Sequence, residues 1–334
     1  MTEATRPVAT RSELGLVGGA LILCLLGGLL VSGCSGGDRD AHVALSAGDA
    51  IEYVQTLELT GVLVDGEEQP DIRVAQNVTL RCLREVAEGA WRVGIEYGRA
   101  RVWVGDLDGA PALDTTDRGY AAVTEVFEDP ESDIAVEFAA FWAVSTGTAS
   151  SCVIDTHAFM AEPTIDPRIA QRMDDNRADD VGSALLEHLL SDPALFFVRL
   201  AHGDGPWTAR LEFVAALWGP GVKVETQTAV LARDDASITF DLSGKPVLLL
   251  AWGDAGRAQR GASEDEDEML MRAAHLSRLR LEAASFAGNA SLAWDDGLPN
   301  TLEWSLAIDI RDSADPAWRE TAELRCTIER LPPK

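Results

Sequence analysis

Cys34 is the side chain whose setting speaks most directly to chemistry. It follows Val31-Ser32-Gly33, short residues that let a backbone enter an enzyme's cleft, and it ends an uncharged apolar run beginning at Leu14. Arg6 and Arg11 precede that run, diluted by Glu3 and Glu13, and the small residues Ser35-Gly36-Gly37 follow it. A basic segment, an apolar stretch and small residues at a cut are the parts of a secretory signal. Cleavage before Cys34 would leave its thiol on the first residue of the mature chain. The competing reading is an uncleaved membrane helix, since the run is about long enough to span. Against it stand Gly18, Gly19, Gly27 and Gly28 within the run and the lack of a basic cluster after it.

The remaining candidates for chemistry are weaker. Cys82, Cys152 and Cys326 remain in the mature chain, without a CxxC pair or a histidine at ligand spacing. In an oxidising compartment the arithmetic allows one disulfide and one free thiol, and sequence cannot fix the pairing. Cys82 and Cys326 each fall on the apolar side of an alternating strand. A Cys82–Cys326 bridge is therefore the expectation if two sheets pack with those faces together, with pairings to Cys152 as alternatives. His42, His157, His188, His202 and His275 are scattered, and none has a catalytic partner in view. Asp106-Leu107-Asp108-Gly109, with Asp114 and Asp117, offers oxygen ligands but lacks the later Glu of a calcium loop, so it reads as a solvated turn. The motifs of serine hydrolases, zincins, P-loops and dinucleotide folds are missing. No catalytic residue, metal or cofactor is therefore expected, and the chain does not read as an enzyme.

Charge narrows the partners. The 334 residues carry a formal net charge of −27, and lysine occurs only at 223, 245 and 334. The signal segment is charge-balanced, so its removal leaves the value unchanged. Such a chain is repelled by nucleic acid and by anionic headgroups. Nucleic acid is thus not an expected partner, and membrane association must come from lipid. Hydrophobic residues at 46% are too many for a disordered chain.

The elements that would position these residues are mostly strands. Ile51, Tyr53, Leu57, Leu59 and Leu63 share one face of 49–65. Runs at 74–86 and 91–104 alternate in the same way, which predicts an antiparallel meander. Strand-like runs follow at 120–127, 134–144 and 148–156. A helical insert is expected over 164–192, with Asp166-Pro167 capping one helix (167–176) and Val181, Ala184, Leu185, His188 and Leu189 marking another (180–190). A second β block from about 194 to 334 has strands at 207–217, 222–232, 237–242, 247–252, 279–286, 291–294, 302–310 and 321–331. The Ser263/Glu266 capping box opens a short helix over 264–274. The domain reading is a signal peptide (1–33), a flexible tether (34–48) and a β-rich domain (49–334) of two blocks, about 49–160 and 194–334.

The Val31-Ser32-Gly33-Cys34 ending is a lipobox and resembles those of bacterial envelope lipoproteins. That resemblance implies a thioether-linked diacylglycerol on Cys34, cleavage before it, and a further acyl chain such as palmitate on the freed amine. Two or three chains anchor stably, at about 0.8 kcal/mol per buried methylene. Ser35 after the cysteine implies sorting to the outer membrane, on its periplasmic face or at the cell surface. The mature chain resembles, in architecture alone, the open half-barrel of bacterial lipoprotein-carrier proteins and other β-rich lipoproteins. The fold class expected is α+β, mainly β: antiparallel meanders forming an open half-barrel or curved sheet, with a few short covering helices. In that architecture a concave apolar face holds a hydrophobic ligand or lipidated partner. Phe138, Trp142, Phe213, Leu217 and Trp304 are the candidate lining. The alternative is a structural or interaction lipoprotein whose apolar faces simply meet each other.

Overall fold

The computed structural model describes residues 42–64, 67–175, 207–211, 221–249 and 277–333. The chain divides into two units, Met1–Arg39 and Asp40–Lys334, and all of the described residues lie in the second. That unit is built on one antiparallel sheet. Its long strands are β1 (Ala50–Val64), β3 (Ile72–Ala87), β4 (Ala90–Val104), β6 (Ala149–Asp155), β9 (Gly221–Arg233), β10 (Ser237–Leu249), β11 (Leu279–Ala293), β12 (Pro299–Asp312) and β13 (Arg319–Arg330). Shorter strands are β2 (Glu67–Glu68), β5 (Leu113–Asp114), β7 (Met160–Thr164) and β8 (Trp207–Leu211). The order is β7-β6-β4-β3-β1-β13-β12-β11-β10-β9-β8, with β2 beside β1 and β5 beside β4. The path ends at β7 and β8 without closing, so the sheet is mainly β and open, as expected.

The two expected blocks are halves of this single sheet. They join edge to edge through β1 and β13, in register from Tyr53↔Arg330 to Leu59↔Leu324. Alternation sets the faces along the join. Tyr53, Leu57 and Leu59 on β1, Val74, Val78 and Leu80 on β3, and Leu324, Cys326 and Ile328 on β13 are all buried. The opposite face is laced by ion pairs such as Arg73–Glu58 at 2.6 Å, Arg81–Glu96 at 2.9 Å and Arg319–Asp309 at 2.9 Å. This is the pattern of a sheet with one dry and one wet side.

The sheet is curled. The N–H of Val43 donates to the carbonyl of Thr156 at 2.9 Å, and that of Ala44 to Asp296 at 3.1 Å. Thr156 follows β6, and Asp296 lies in the turn before β12, five interstrand gaps away. Flat, those gaps would span about 24 Å, whereas consecutive amide nitrogens hold the two carbonyls within about 10 Å. The stretch 42–48 was expected to be tether. It is instead a strap across one end of the sheet, with Val43 1% exposed and Leu45 buried beside it.

Three helical pieces correct the strands expected at 120–127 and 134–144. These are α1 (Tyr120–Glu128), α2 (Ile134–Ala140) and a 3-10 turn (Phe141–Ala143). Their alanines, and for α2 a local cap, outweigh the β-branched and aromatic residues that suggested strands. The Asp133 carboxylate accepts the N–H of Ala135 at 2.7 Å, an N-cap that Ile134-Ala-Val-Glu needs to start helical. Ala139, Ala140, Ala143 and Val144 are then buried at helical spacing. Helix α3 (Pro167–Asp175) stands where the Asp166-Pro167 signal placed it. The expected helices at 180–190 and 264–274 lie outside the described residues.

Two expected breaks are absent. Strand β10 runs straight through Gly244-Lys245-Pro246. Its pairing with β11 ends at Gly244, so Pro246 faces only β9 and leaves no ladder acceptor unfilled on the other side. Strand β11 likewise continues through Gly288-Asn289.

Candidate functional site

The apolar face of the curled sheet is the candidate site. One row of it can be followed across seven strands: Val102, Val74, Leu57, Cys326, Trp304, Gly288 and Leu242, on β4, β3, β1, β13, β12, β11 and β10. Trp304 sits at the centre of its half, 1% exposed, with the Phe286 ring 6.1 Å away. Gly288 makes room for it. A Cβ built there would lie 2.3 Å from the Glu303 carbonyl oxygen and 2.9 Å from Trp304 Cα.

Of the candidate lining residues, Phe138 is on α2 and Trp142 in the 3-10 turn, not on strands. Both belong to the helical layer packed over β3 and β4. Trp142 is 3% exposed, and Phe138 is partly buried against the same core. Trp304 lies three strands away from β3 along the sheet. Phe213 and Leu217, with the expected covering helix at 180–190, lie outside the described residues. Exposures this low leave no water-sized space against the rings of Trp142 and Trp304.

The helical layer is tied down by one arginine. Arg172 of α3 donates through Nη1 to the carbonyls of Val144 and Thr146, each at 2.8 Å, and stacks 3.7 Å from the centre of the Tyr120 ring. Burial lowers its pKa without removing its charge. At the start of α3, hydrogen bonds from the Arg168 side chain are the main cause holding Asp166 down to about 2.

Inward positions that break the apolar rule were not flagged by the alternation. Gln55 and Gln76 pair across β1 and β3 and are both buried. Gln76 is within hydrogen-bonding distance of the Ser145 hydroxyl, at 3.0 and 3.1 Å through its two amide atoms. Nearer the strap, Arg330 holds Asp296 at 2.6 Å, and burial raises the pKa of the adjacent Tyr53 phenol. A glutamine in phase with Ile51, Tyr53, Leu57 and Leu59 is a sequence signal that could have found the first of these.

The Cys82–Cys326 bridge is not formed: Cys82, Cys152 and Cys326 are all buried, and none of them is in a disulfide. The blocks join by their edges, which puts Cys326 level with Leu57 and Val74, far along β3 from Cys82. Cys82 and Cys152 do share a row, with Val93 of β4 between them. Two interstrand gaps, about 9.6 Å, exceed the span a disulfide bridges. Burial pushes the Cys326 thiol up to about 12 and raises that of Cys82.

In the acidic loop, Asp114 is held by Arg99 at 2.6 and 3.0 Å, which depresses its pKa. Asp106 accepts the N–H of Asp108 at 3.1 Å. These are turn contacts. Among the described residues no three His, Cys, Asp or Glu side chains come together in a way that could hold a metal ion.

No family model matches the chain, and no curated protein is similar to it. Among solved structures it is similar to DynF from the dynemicin biosynthesis pathway of Micromonospora chersina, at 6% identity and a TM-score of 0.20, over 98% of this chain and 94% of that one. It is also similar to an outer membrane channel from Pseudomonas putida F1, at 10% identity and a TM-score of 0.19, over 90% of this chain and 100% of that one. Likeness this slight carries no argument about function.

Proposed function

We propose that the chain is a cell-envelope lipoprotein. Met1–Gly33 is removed, Cys34 carries the acyl anchor, and the β domain is displayed at the membrane as a structural or protein-interaction module. The anchor rests on Val31-Ser32-Gly33-Cys34 closing an uncharged run. The choice of an interaction module over a carrier rests on one observation, the close packing of Trp142 and Trp304. A fatty chain gains about 25 cal/mol per Å² of apolar area where space awaits it. Here it would first have to part side chains already in contact, so the gain is largely spent before it binds.

The hydrophobic-ligand reading keeps one observation in its favour. Phe127 and Phe141 meet at 4.7 Å and are only partly buried in the helical layer over β3 and β4. The two readings part in native mass spectrometry of the mature domain, joined to lipid extraction and tryptophan fluorescence titration with fatty acids and phospholipids. The interaction module predicts no co-purifying lipid and no saturable signal from a folded domain. A stoichiometric lipid would restore the carrier. The anchor is checked separately by intact mass of the membrane fraction, which should start at residue 34 with added acyl mass and lose that mass in Cys34→Ser.

A further inference from the structure

We propose that the outer face of the helical layer, the stripe Ile134, Phe138 and Phe141 with Phe127 beside it, docks a cationic amphipathic helix of a partner protein. The inference rests on the interaction-module reading and adds to it the surface used and the chemistry of the partner.

The sequence of α2 gives it two apolar faces. Ile-Ala-Val-Glu-Phe-Ala-Ala contains one polar residue, Glu137. At about 100° per residue, Ala139, Ala140 and Ala143 fall on one side, and all three are fully buried. Ile134, Phe138 and Phe141 recur at i, i+4 and i+7, which places them on the other side. The backbone stays helical through Phe141 and Val144, so the stripe is continuous. The small side chains therefore meet the core, and the large ones fall on the outer face. A helix that is apolar all round is ordinarily covered on every side. Here Ile134 is 82% exposed, the most exposed large hydrophobic among the described residues. At the other end of the stripe Phe141 meets Phe127 of α1 at 4.7 Å, and both rings stay only partly buried.

The rim of this stripe decides what covers it. No Lys or Arg lies between Arg118 and Arg168. Glu128, Asp129, Glu131 and Asp133 are exposed at the end of α1 and in the connection to α2, and Glu137 stands beside the stripe. Arg118 pairs with Glu125, and among the described residues none of the other five carboxylates is in an ion pair. A fatty acid or an anionic headgroup would bring more negative charge to this rim and be repelled. A helix whose apolar face is bordered by Lys or Arg satisfies both parts. Its apolar face covers Ile134 and the two rings, and its basic borders meet the carboxylates. The stripe runs about 10 Å, roughly two turns of such a helix. Helix recognition uses anchors at this same spacing.

The test titrates the unlipidated mature chain into a fluorescein-labelled peptide of leucine and lysine at helical spacing, about 14 residues or four turns long, read by anisotropy. A peptide of the same composition and scrambled spacing runs alongside. The helical peptide should bind saturably, and the scrambled one at least about tenfold more weakly. Hydrogen exchange in the complex should slow in 120–141 and stay unchanged in β12. Ile134→Ser, and separately Glu131→Gln with Glu137→Gln, should each weaken binding by about tenfold while the circular dichroism stays the same. Leu231→Ser, at another exposed apolar residue, should leave binding unchanged. Equal binding of the two peptides, protection elsewhere, or variants without effect overturns the proposal. A domain that co-purifies no lipid and binds neither peptide keeps the interaction-module reading and removes this surface, so the two readings fail separately.

Discussion

Gly288 shows how much a single position can decide. Its neighbours across the ladder are Trp304 on β12 and Leu242 on β10, and the space its side chain would need is filled by the Glu303 carbonyl and by the Cα and Cβ of Trp304, none of them the yielding end of a side chain. Gly288→Ala should therefore destabilise the domain by about 2–4 kcal/mol, read as a lower urea midpoint with an unchanged slope. The cysteines make a second prediction at this scale. Cys326 is held at a pKa of about 12 and Cys82 is raised, both by burial, so neither is a thiolate near pH 8. Ellman titration of the native mature chain should find almost no reactive thiol at Cys82, Cys152 and Cys326. Denaturation without reductant should release all three. Release of a single thiol would mean that a disulfide forms after all.

At the scale of elements, the helical layer and the sheet depend on each other through few polar contacts. Arg172 satisfies carbonyls at the end of the α2 segment that no helix turn reaches, and it does so with a half-buried charge. Arg172→Met keeps much of the stem's packing but removes the donors. It should cost about 1–2 kcal/mol and speed hydrogen exchange in 120–144 more than in β12. Equal acceleration in both would mean that Arg172 serves the whole fold and not the layer. The strap belongs to this scale too. It is a short stretch without regular structure, yet Val43 and Leu45 seal one end of the core, and two of its backbone bonds tie carbonyls that the strand order sets far apart.

For the whole molecule, the β1–β13 pairing is the decisive contact. Residues as far apart in sequence as Tyr53 and Arg330 lie side by side, so neither half of the sheet has a finished edge without the other. The described domain should unfold in one transition, with fluorescence and far-ultraviolet circular dichroism coincident. Leu324→Ala, at the join and buried, should shift that transition by about 3 kcal/mol for both probes alike. Two separated transitions would show that the blocks are independent after all.

What could be read from the chain alone was what depends on near neighbours. The alternation at 51–59 and 302–310, the Asp166-Pro167 helix start and the open β-rich class are of that kind. A period of two or a capping side chain is settled within a few residues. Short apolar runs such as 120–127 and 134–144 are not, because helix and strand bury them about equally well until a neighbouring sheet offers one face. The tertiary structure alone decided that the blocks meet by their edges and not face to face, which separates Cys82 from Cys326. It alone decided that 42–48 is a strap and not a tether, and that Gln55 and Gln76 point inward. Each of these depends on which distant strand lies alongside, and strand pairing is chosen by the total surface buried across the sheet, which no local stretch of sequence encodes.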